Sequence, residues 1–223
     1  MNVSKADIGA YSACYKIGMF MVLFRTAYTL GIEPFFFSHA ANENAQQTYA
    51  TITKYFVIFG SLILLGVIVF ADVLKFLLLD NKSYWEAMKV VPLIILANFF
   101  LGIYNNLSVW YKLTDKTKMG AYISIVGAVL TLVLNYLLIP KFSYYGSAIA
   151  TIAAYGSMMF ISYVLGNRYY PIPYDMEKIG GYLGLSILFS AISFYGFREN
   201  YFVGIPLLLL FVYFVYHNEK ATT

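Results

Sequence analysis

The sequence has 223 residues, of which 61% are hydrophobic and 12% are charged, with a formal net charge of +4 and a mean hydropathy of +0.69. Soluble domains usually carry about 25% charged residues, and a soluble fold this apolar would leave large apolar patches in water. The composition therefore excludes an ordinary soluble domain and predicts an integral membrane protein. The basic residues form no long run, which argues against nucleic acid as a partner.

Motifs for enzyme chemistry are missing from the sequence. It contains no GxxxxGK[ST] string, so no nucleotide is hydrolysed by that route. His39 and Glu43 are four residues apart, but no third or fourth metal ligand accompanies them. Cys14 is the only cysteine, so no intrachain disulfide is possible. We expect no catalytic residue, cofactor or metal, and a transporter rather than an enzyme.

Seven segments are long and apolar enough to cross a bilayer, which takes about 20 residues each. They predict an all-α polytopic membrane protein, and the short polar connections predict one transmembrane lobe over 1–223 without a soluble domain. The fourth segment is expected to end at Pro140, and the last two to form a hairpin around the turn FREN. The predicted segments are 8–38, 49–71, 87–111, 121–139, 145–165, 179–197 and 202–216.

Basic residues in the connections predict the orientation weakly. An odd number of crossings places the two ends on opposite sides, and cytoplasmic loops carry more Lys and Arg. The connections after the odd-numbered segments are slightly richer in these residues, with the dense string KLTDKTK after the third. We therefore expect a cytoplasmic C-terminus.

The first segment carries three charges, Lys16, Arg25 and Glu33. Arg25 lies near its middle, where a charge costs about 2.5–3.5 kcal/mol on insertion scales, so it must face protein or a water-filled cavity. On one helix, Arg25 and Glu33 are about 80° and about 12 Å apart, too far for a direct pair. One interpretation is a cationic contact to an anionic substrate, with Glu33 as a proton or ion site. In the other, Lys16 and Glu33 reach the membrane interfaces and Arg25 pairs with another helix.

Asparagines mark the third and fourth segments. Asn98 and Asn105 are seven residues apart and share a helix face with Gly102 between them, while Asn135 continues a polar stripe on the fourth segment. They can line a polar cavity or form interhelical hydrogen bonds, worth roughly 0.6–2 kcal/mol each. The candidate substrate-binding residues are therefore Arg25, Lys16, Glu33, Asn98, Asn105 and Asn135.

Long strings of the sequence resemble the C-terminal half of bacterial polysaccharide-biosynthesis proteins, particularly those of Bacteroidetes. These are lipid-linked oligosaccharide flippases of the multidrug/oligosaccharidyl-lipid/polysaccharide exporter superfamily. The resemblance rests on GAYSACYKIGMFMVLFRTAYTLGIEPFFFSHA, YATITKYFVIFG and VVPLIILANFFLGIYNNLSVWYKLTDKT, and it weakens beyond about Gly180. The features EPFFF and WYKLTDKT, and the turn from IPKF to YYGSA, are the most specific.

The resemblance implies one lobe of a MATE-like, two-lobe transporter with a central cavity in the bacterial inner membrane. Seven spans would be the last seven of about fourteen, so an N-terminal lobe is expected from the same longer chain or from a partner subunit. The implied function is flipping of an undecaprenyl-pyrophosphate-linked oligosaccharide for O-antigen or other surface polysaccharide, including lipopolysaccharide. The family's cationic cavities favour Arg25 and, less strongly, Lys16 as contacts to this ligand, with membrane lipids as further partners.

Three alternatives remain open from the sequence. The first is a MATE-type, ion-coupled exporter of small molecules, in which Glu33 would be the coupling acid. The second is a half-length remnant or partner subunit that does not itself transport. The third, an integral-membrane enzyme of the same pathway, would need a large charged loop outside the membrane, and the sequence contains none.

Overall fold

The computed structural model describes residues 5–79 and 82–220, with side chains from residue 8 onward apart from those of 82 and 83. These residues are 89% helical and include no strand, which confirms the predicted all-α fold. A 3-10 helix, Lys82–Val90, precedes α4 and a π-helix, Ile192–Gly196, follows α8. The α-helices are α1 Lys5–Ser38, α2 Ala45–Val69, α3 Ala71–Leu78, α4 Val91–Leu107, α5 Val109–Leu113, α6 Thr117–Phe142, α7 Tyr144–Tyr169, α8 Met176–Ala191 and α9 Tyr201–Lys220.

Six helical stretches in this part of the chain are long and apolar enough to cross a membrane. They correspond to the second to seventh predicted segments. The first segment forms α1, whose 34 residues would extend about 51 Å, but its charges keep it outside the apolar set. The six are Ala45–Val69, Tyr84–Leu113, Thr117–Phe142, Tyr144–Tyr169, Met176–Gly196 and Tyr201–Lys220.

The expected end of the fourth segment at Pro140 is wrong. Helix α6 continues through Pro140 to Phe142. Proline removes only its own N–H, and the backbone N–H of Ser143 still donates to the carbonyl of Ile139 at 2.8 Å. The chain reverses direction instead at Ser143, whose backbone φ is 48°. Helix α7 begins at the next residue.

Helix α4 is the centre of the bundle and packs against α1, α2 and α7. Its side chains Ile95 and Phe99 are fully buried. Glycines let the neighbouring helices approach: a Cβ on Gly18 of α1 would lie 2.6 Å from Ile94, and one on Gly60 of α2 would lie 2.3 Å from Phe99. By contrast, only 11% of the most apolar window of α6, and of α9, is buried, as expected for helices that face lipid.

One ionic cluster joins α3 to the turn between α8 and α9, and a second joins α2 to α8 and α9. We name the two ends of the bundle side A, with connections 39–44, 114–116 and 170–175, and side B, with connections at 70–79, 143 and 197–200. On side B, Arg198 Nη2 lies 3.0 Å from Asp72. On side A, Glu219 pairs with Lys54 and with Lys178. The turn at 197–200 joins α8 to α9, which confirms the predicted hairpin.

Candidate functional site

Arg25 lies where α1, α4 and α7 meet. It is in the middle third of α1, and its stem packs on α4, since a Cβ on Gly102 would lie 3.4 Å from Arg25 Cγ. Its charge also interacts with Tyr155 of α7. The side chain is half-buried, with its stem against α4 and its charge within electrostatic reach of α7.

Among the described side chains, those of 8–79 and 84–220, no carboxylate forms an ion pair with Arg25. Its buried Nε has no hydrogen-bond acceptor among them. A buried donor without an acceptor costs about 1–3 kcal/mol, and more for a charged group. The geometry therefore leaves Arg25 able to bind an anion from outside this part of the chain.

The structure does not bring the three charges of α1 together. Lys16 is exposed and lies nine residues, about 14 Å, from Arg25 along the helix. Glu33 pairs with Lys112 beside α5 near side A, and its side chain is 42% exposed. No sequence spacing indicated this basic partner of Glu33.

The three asparagines are also separated. Asn98 is buried, and its Nδ2 donates to the carbonyl of Ile94 in its own helix at 2.9 Å. Asn105 is half-exposed, one turn beyond Gly102. Asn135 lies on α6 with a buried Oδ1 that accepts no hydrogen bond from the described residues. Of the three, Asn105 is nearest in sequence to Gly102, the α4 residue that lies against the stem of Arg25.

Two tyrosines belong to the site although the sequence did not single them out. Tyr28, three residues after Arg25, donates to Asn106 Oδ1 at 2.7 Å and so links α1 to α4. Tyr155 of α7 interacts electrostatically with Arg25. Helical spacing could have placed Tyr28 near the face of Arg25, but no local pattern connects α1 with a residue 130 positions later.

A separate cavity of about 140 Å³ lies between α2, α4, α7 and α8. Its lining includes Thr53, Tyr163 and Tyr174 but no charged residue. It offers no counterion for a charged ligand, so the junction around Arg25 remains the candidate site.

Comparison with known proteins identifies the family. The family model described as MatE matches residues 1–137, more than half of the chain, whereas no curated protein and no solved structure matches. The match agrees with the exporter superfamily that the sequence resembles, and members of this family are transporters, not enzymes. Together with the six apolar helices, it shows that the chain belongs to the MatE family of multi-pass membrane transporters.

Proposed function

We propose that this chain takes part in flipping an undecaprenyl-pyrophosphate-linked oligosaccharide across the bacterial inner membrane, for O-antigen or other surface polysaccharide. The observation that supports the proposal is the buried Nε of Arg25, at the junction of α1, α4 and α7, which has no hydrogen-bond acceptor among the described residues. A charge at this depth is rare unless it serves a ligand or an ion path. Arginine suits pyrophosphate because its planar fork donates two parallel hydrogen bonds to phosphate oxygens.

In this mechanism no covalent bond changes, and the protein lowers the cost of moving charge through the membrane. Arg25 holds the pyrophosphate at the helix junction, whereas Lys16, exposed and on the opposite face of α1, would contact the ligand only outside this junction. Asn105 supplies a polar contact from α4. A second lobe, from the same longer chain or from a partner subunit, would complete the cavity, and rocking of the two lobes would expose it to each side in turn.

The geometry of the described residues does not support the alternative of an ion-coupled exporter of small molecules. That mechanism needs an acid that gains and loses its charge inside the membrane. Glu33 is instead paired with Lys112 and partly exposed near side A. No contact of the described residues favours a chain that does not transport.

The test replaces Arg25→Gln at the chromosomal locus. Losing the charge-assisted bonds, worth about 1.5–3 kcal/mol, should reduce surface polysaccharide about 10- to 100-fold while the protein stays at its normal level. Lipid-linked oligosaccharide should accumulate in the membrane, and Arg25→Lys should retain part of the export. Immunoblots of the membrane and staining of surface polysaccharide provide the two measurements.

A matched control is Arg168→Gln, because Arg168 is an exposed arginine at the end of α7. We expect normal polysaccharide in this variant. Normal polysaccharide in Arg25→Gln would refute the proposal. Loss of the Arg25→Gln protein from the membrane would instead assign Arg25 to packing.

A further inference from the structure

The cavity of about 140 Å³ between α2, α4, α7 and α8 has no part in the proposed transport mechanism. Helix α4 packs on α7, α2 packs on α8, and α2 and α4 pack on each other. The cavity therefore has α2 and α4 as its floor and α7 and α8 as its two sides. Its wall is apolar, because even the Thr53 hydroxyl donates within its own helix, to the carbonyl of Tyr49 at 2.9 Å.

Such a wall matches hydrocarbon and not water. A buried water needs about two to four polar partners, and an apolar cavity of about 150 Å³ stays dry and accepts small apolar molecules. Met159 and Leu183 contribute to the wall from opposite sides of the cavity, and the flexible thioether of a methionine adapts to irregular apolar shapes. The ligand class that fits is an apolar, flexible chain.

The cavity opens sideways, between α7 and α8. Phe160 of α7 is 65% exposed and Met176 of α8 is 45% exposed. Gly180, one turn after Met176, is also exposed, and all three residues line the cavity. Because α7 and α8 are both long and apolar enough to cross a membrane, the medium outside this opening is the hydrocarbon of the bilayer.

The opening lies towards side A. Met176 is the first residue of α8, and Leu183 lines the cavity seven residues, or about 10 Å, further along the helix. Lys178, two residues after Met176, belongs to the ionic cluster with Lys54 and Glu219, and lysines near the ends of spanning helices extend to the membrane surface. The cavity therefore lies just below the headgroups of the side-A leaflet, where phospholipid acyl chains begin.

We propose that this cavity binds one acyl chain of a phospholipid from the side-A leaflet. The chain enters between α7 and α8 and packs against the floor formed by α2 and α4. In a bilayer the stabilisation comes from van der Waals contacts with the cavity wall, because a lipid chain leaves no water behind when it enters. The bound lipid connects the pair α4 and α7 to the pair α2 and α8.

The position of the cavity distinguishes this chain from the prenyl tail of the transported lipid. Gly102 faces Phe56 and the stem of Arg25, since a Cβ on Gly102 would lie 2.5 Å from Phe56 Cζ and 3.4 Å from Arg25 Cγ. The cavity is lined instead by Ile103 and Leu107, about 100° and 140° further around α4. A pyrophosphate at Arg25 is therefore separated from the cavity by the contact between α2 and α4.

The experiment uses the native transporter in nanodiscs of phosphatidylethanolamine and phosphatidylglycerol. Part of the phosphatidylethanolamine carries a photoactivatable diazirine midway along one acyl chain. After irradiation and digestion, mass spectrometry locates the crosslinked residues. We expect crosslinks on Ile103 and Leu107, which are only 5% and 6% exposed and which lipid reaches only by entering the cavity. Leu132 of α6, 70% exposed, should be crosslinked by the surrounding bilayer and serves as the reference.

Two neighbouring glycines provide matched variants. Gly180 lines the cavity, whereas Gly181 is not among its lining residues, and no atom outside the local helix backbone lies within 4 Å of a Cβ built at either position. Leucine should therefore be accommodated at both. Gly180→Leu should obstruct the opening and lose the crosslinks on Ile103 and Leu107, and Gly181→Leu should keep them. Crosslinking of Leu132 should be the same in both variants.

Crosslinks confined to exposed residues in wild type would overturn the inference, and so would equal crosslinking of Ile103 and Leu107 in the two glycine variants. Unlabelled undecaprenyl pyrophosphate, added in excess, should leave these crosslinks unchanged. Their loss would assign the cavity to the prenyl chain and overturn the assignment to phospholipid. Arg25→Gln should also leave them unchanged, so the result does not depend on the proposed function.

Discussion

At the scale of single residues, Gly102 determines how closely Arg25 can approach α4. A Cβ on Gly102 would lie 2.5 Å from Cζ of Phe56 and 3.4 Å from Cγ of Arg25. Phe56 cannot easily move away, because it is buried and stacks on Phe24 with centroids 5.2 Å apart and against Tyr28 at 4.5 Å. The glycine is therefore required by space rather than by backbone conformation.

We predict that Gly102→Ala destabilises the bundle and impairs export together. Overpacking of this kind typically costs about 1–3 kcal/mol, and the displaced Phe56 would shift the stem of Arg25. Thermal unfolding in detergent and surface polysaccharide are the measurements.

The matched control for Gly102→Ala is Gly184→Ala in α8. No atom outside the local helix backbone lies within 4 Å of a Cβ built there. Alanine should therefore leave stability unchanged or raise it by up to about 1 kcal/mol. A Gly102→Ala protein as stable and as active as wild type would contradict the packing argument.

The surroundings of some residues could be predicted from the sequence, and those of others could not. The cost of a mid-membrane charge was enough to predict that Arg25 faces protein or a cavity, and its half-buried position agrees. The ion pair of Glu33 with Lys112 joins residues 79 positions apart, which no local period encodes. Asn98 could have served a cavity or a neighbouring helix, but its amide turns back to Ile94.

At the scale of helices, the side-B cluster joins α3 to the turn between α8 and α9. Asp72 accepts from Lys75 Nζ at 2.7 Å, and from Arg198 Nη2 at 3.0 Å and Nε at 3.3 Å. Lys75 is nearly buried and also lies 4.5 Å from the centre of the Trp85 ring. Asp72 therefore neutralises two cations at once and joins α3 to the turn between α8 and α9.

We predict that Asp72→Asn loosens this end of the bundle. Removing one partner of a buried ion pair costs about 3–5 kcal/mol, because the remaining charge stays buried without compensation. Glu199→Gln is the control, since Glu199 also contacts Lys75 but its side chain is 64% exposed, and it should change stability by less than about 1 kcal/mol. Urea unfolding followed by circular dichroism compares the two, and equal stabilities would refute the role of Asp72.

The same cluster predicts a dependence of stability on pH. Burial tends to raise the pKa of Asp72, but the hydrogen bonds and charges of Arg198 and Lys75 outweigh it and hold the pKa below its ordinary value. A carboxyl with a lowered pKa in the folded state stabilises fully above the pKa of the unfolded state, about 3.9. That stabilisation is lost as the pH falls through the lower, folded value.

The measurement is the difference in melting temperature between wild type and Asp72→Asn from pH 7 to pH 2. The difference should be constant down to about pH 4 and then shrink. If the difference in melting temperature were unchanged at pH 2, protonation of Asp72 would not remove the stabilisation that the cluster provides.

The helices themselves were largely predictable, and their contacts were not. Six apolar segments were recognised because a bilayer demands about 20 apolar residues with every backbone group bonded internally. The segment 87–111 proved to be a 3-10 helix followed by α4 and α5, a change of winding that hydropathy does not register. The junction of α1, α4 and α7 depends on packing between distant segments, which one sequence does not specify.

At the scale of the whole molecule, α1 decides whether the lobe has six or seven crossings. One face of α1 is buried at Cys14, Ile17 and Met21, while the opposite face leaves Lys16 exposed. The charges of α1 lower its mean hydropathy, but its length of about 51 Å is well beyond the roughly 30 Å of a bilayer core. We therefore keep seven crossings as a prediction, with α1 as the crossing that needs a test.

Labelling of single cysteines tests this topology in a Cys14→Ser background, where the buried native thiol is removed. Ile8 lies near the start of α1 on side B, and Asn42 follows α1 on side A. Lys141 lies near the end of α6 on side B. All three residues are exposed. If α1 crosses and the more basic side A faces the cytoplasm, an impermeant maleimide should label Ile8→Cys and Lys141→Cys in intact spheroplasts. Asn42→Cys should react only after permeabilisation. The same labelling pattern for Ile8→Cys and Asn42→Cys would show that α1 does not cross. Exchange of the Asn42→Cys and Lys141→Cys patterns would show the opposite orientation, and it would leave the number of crossings unchanged.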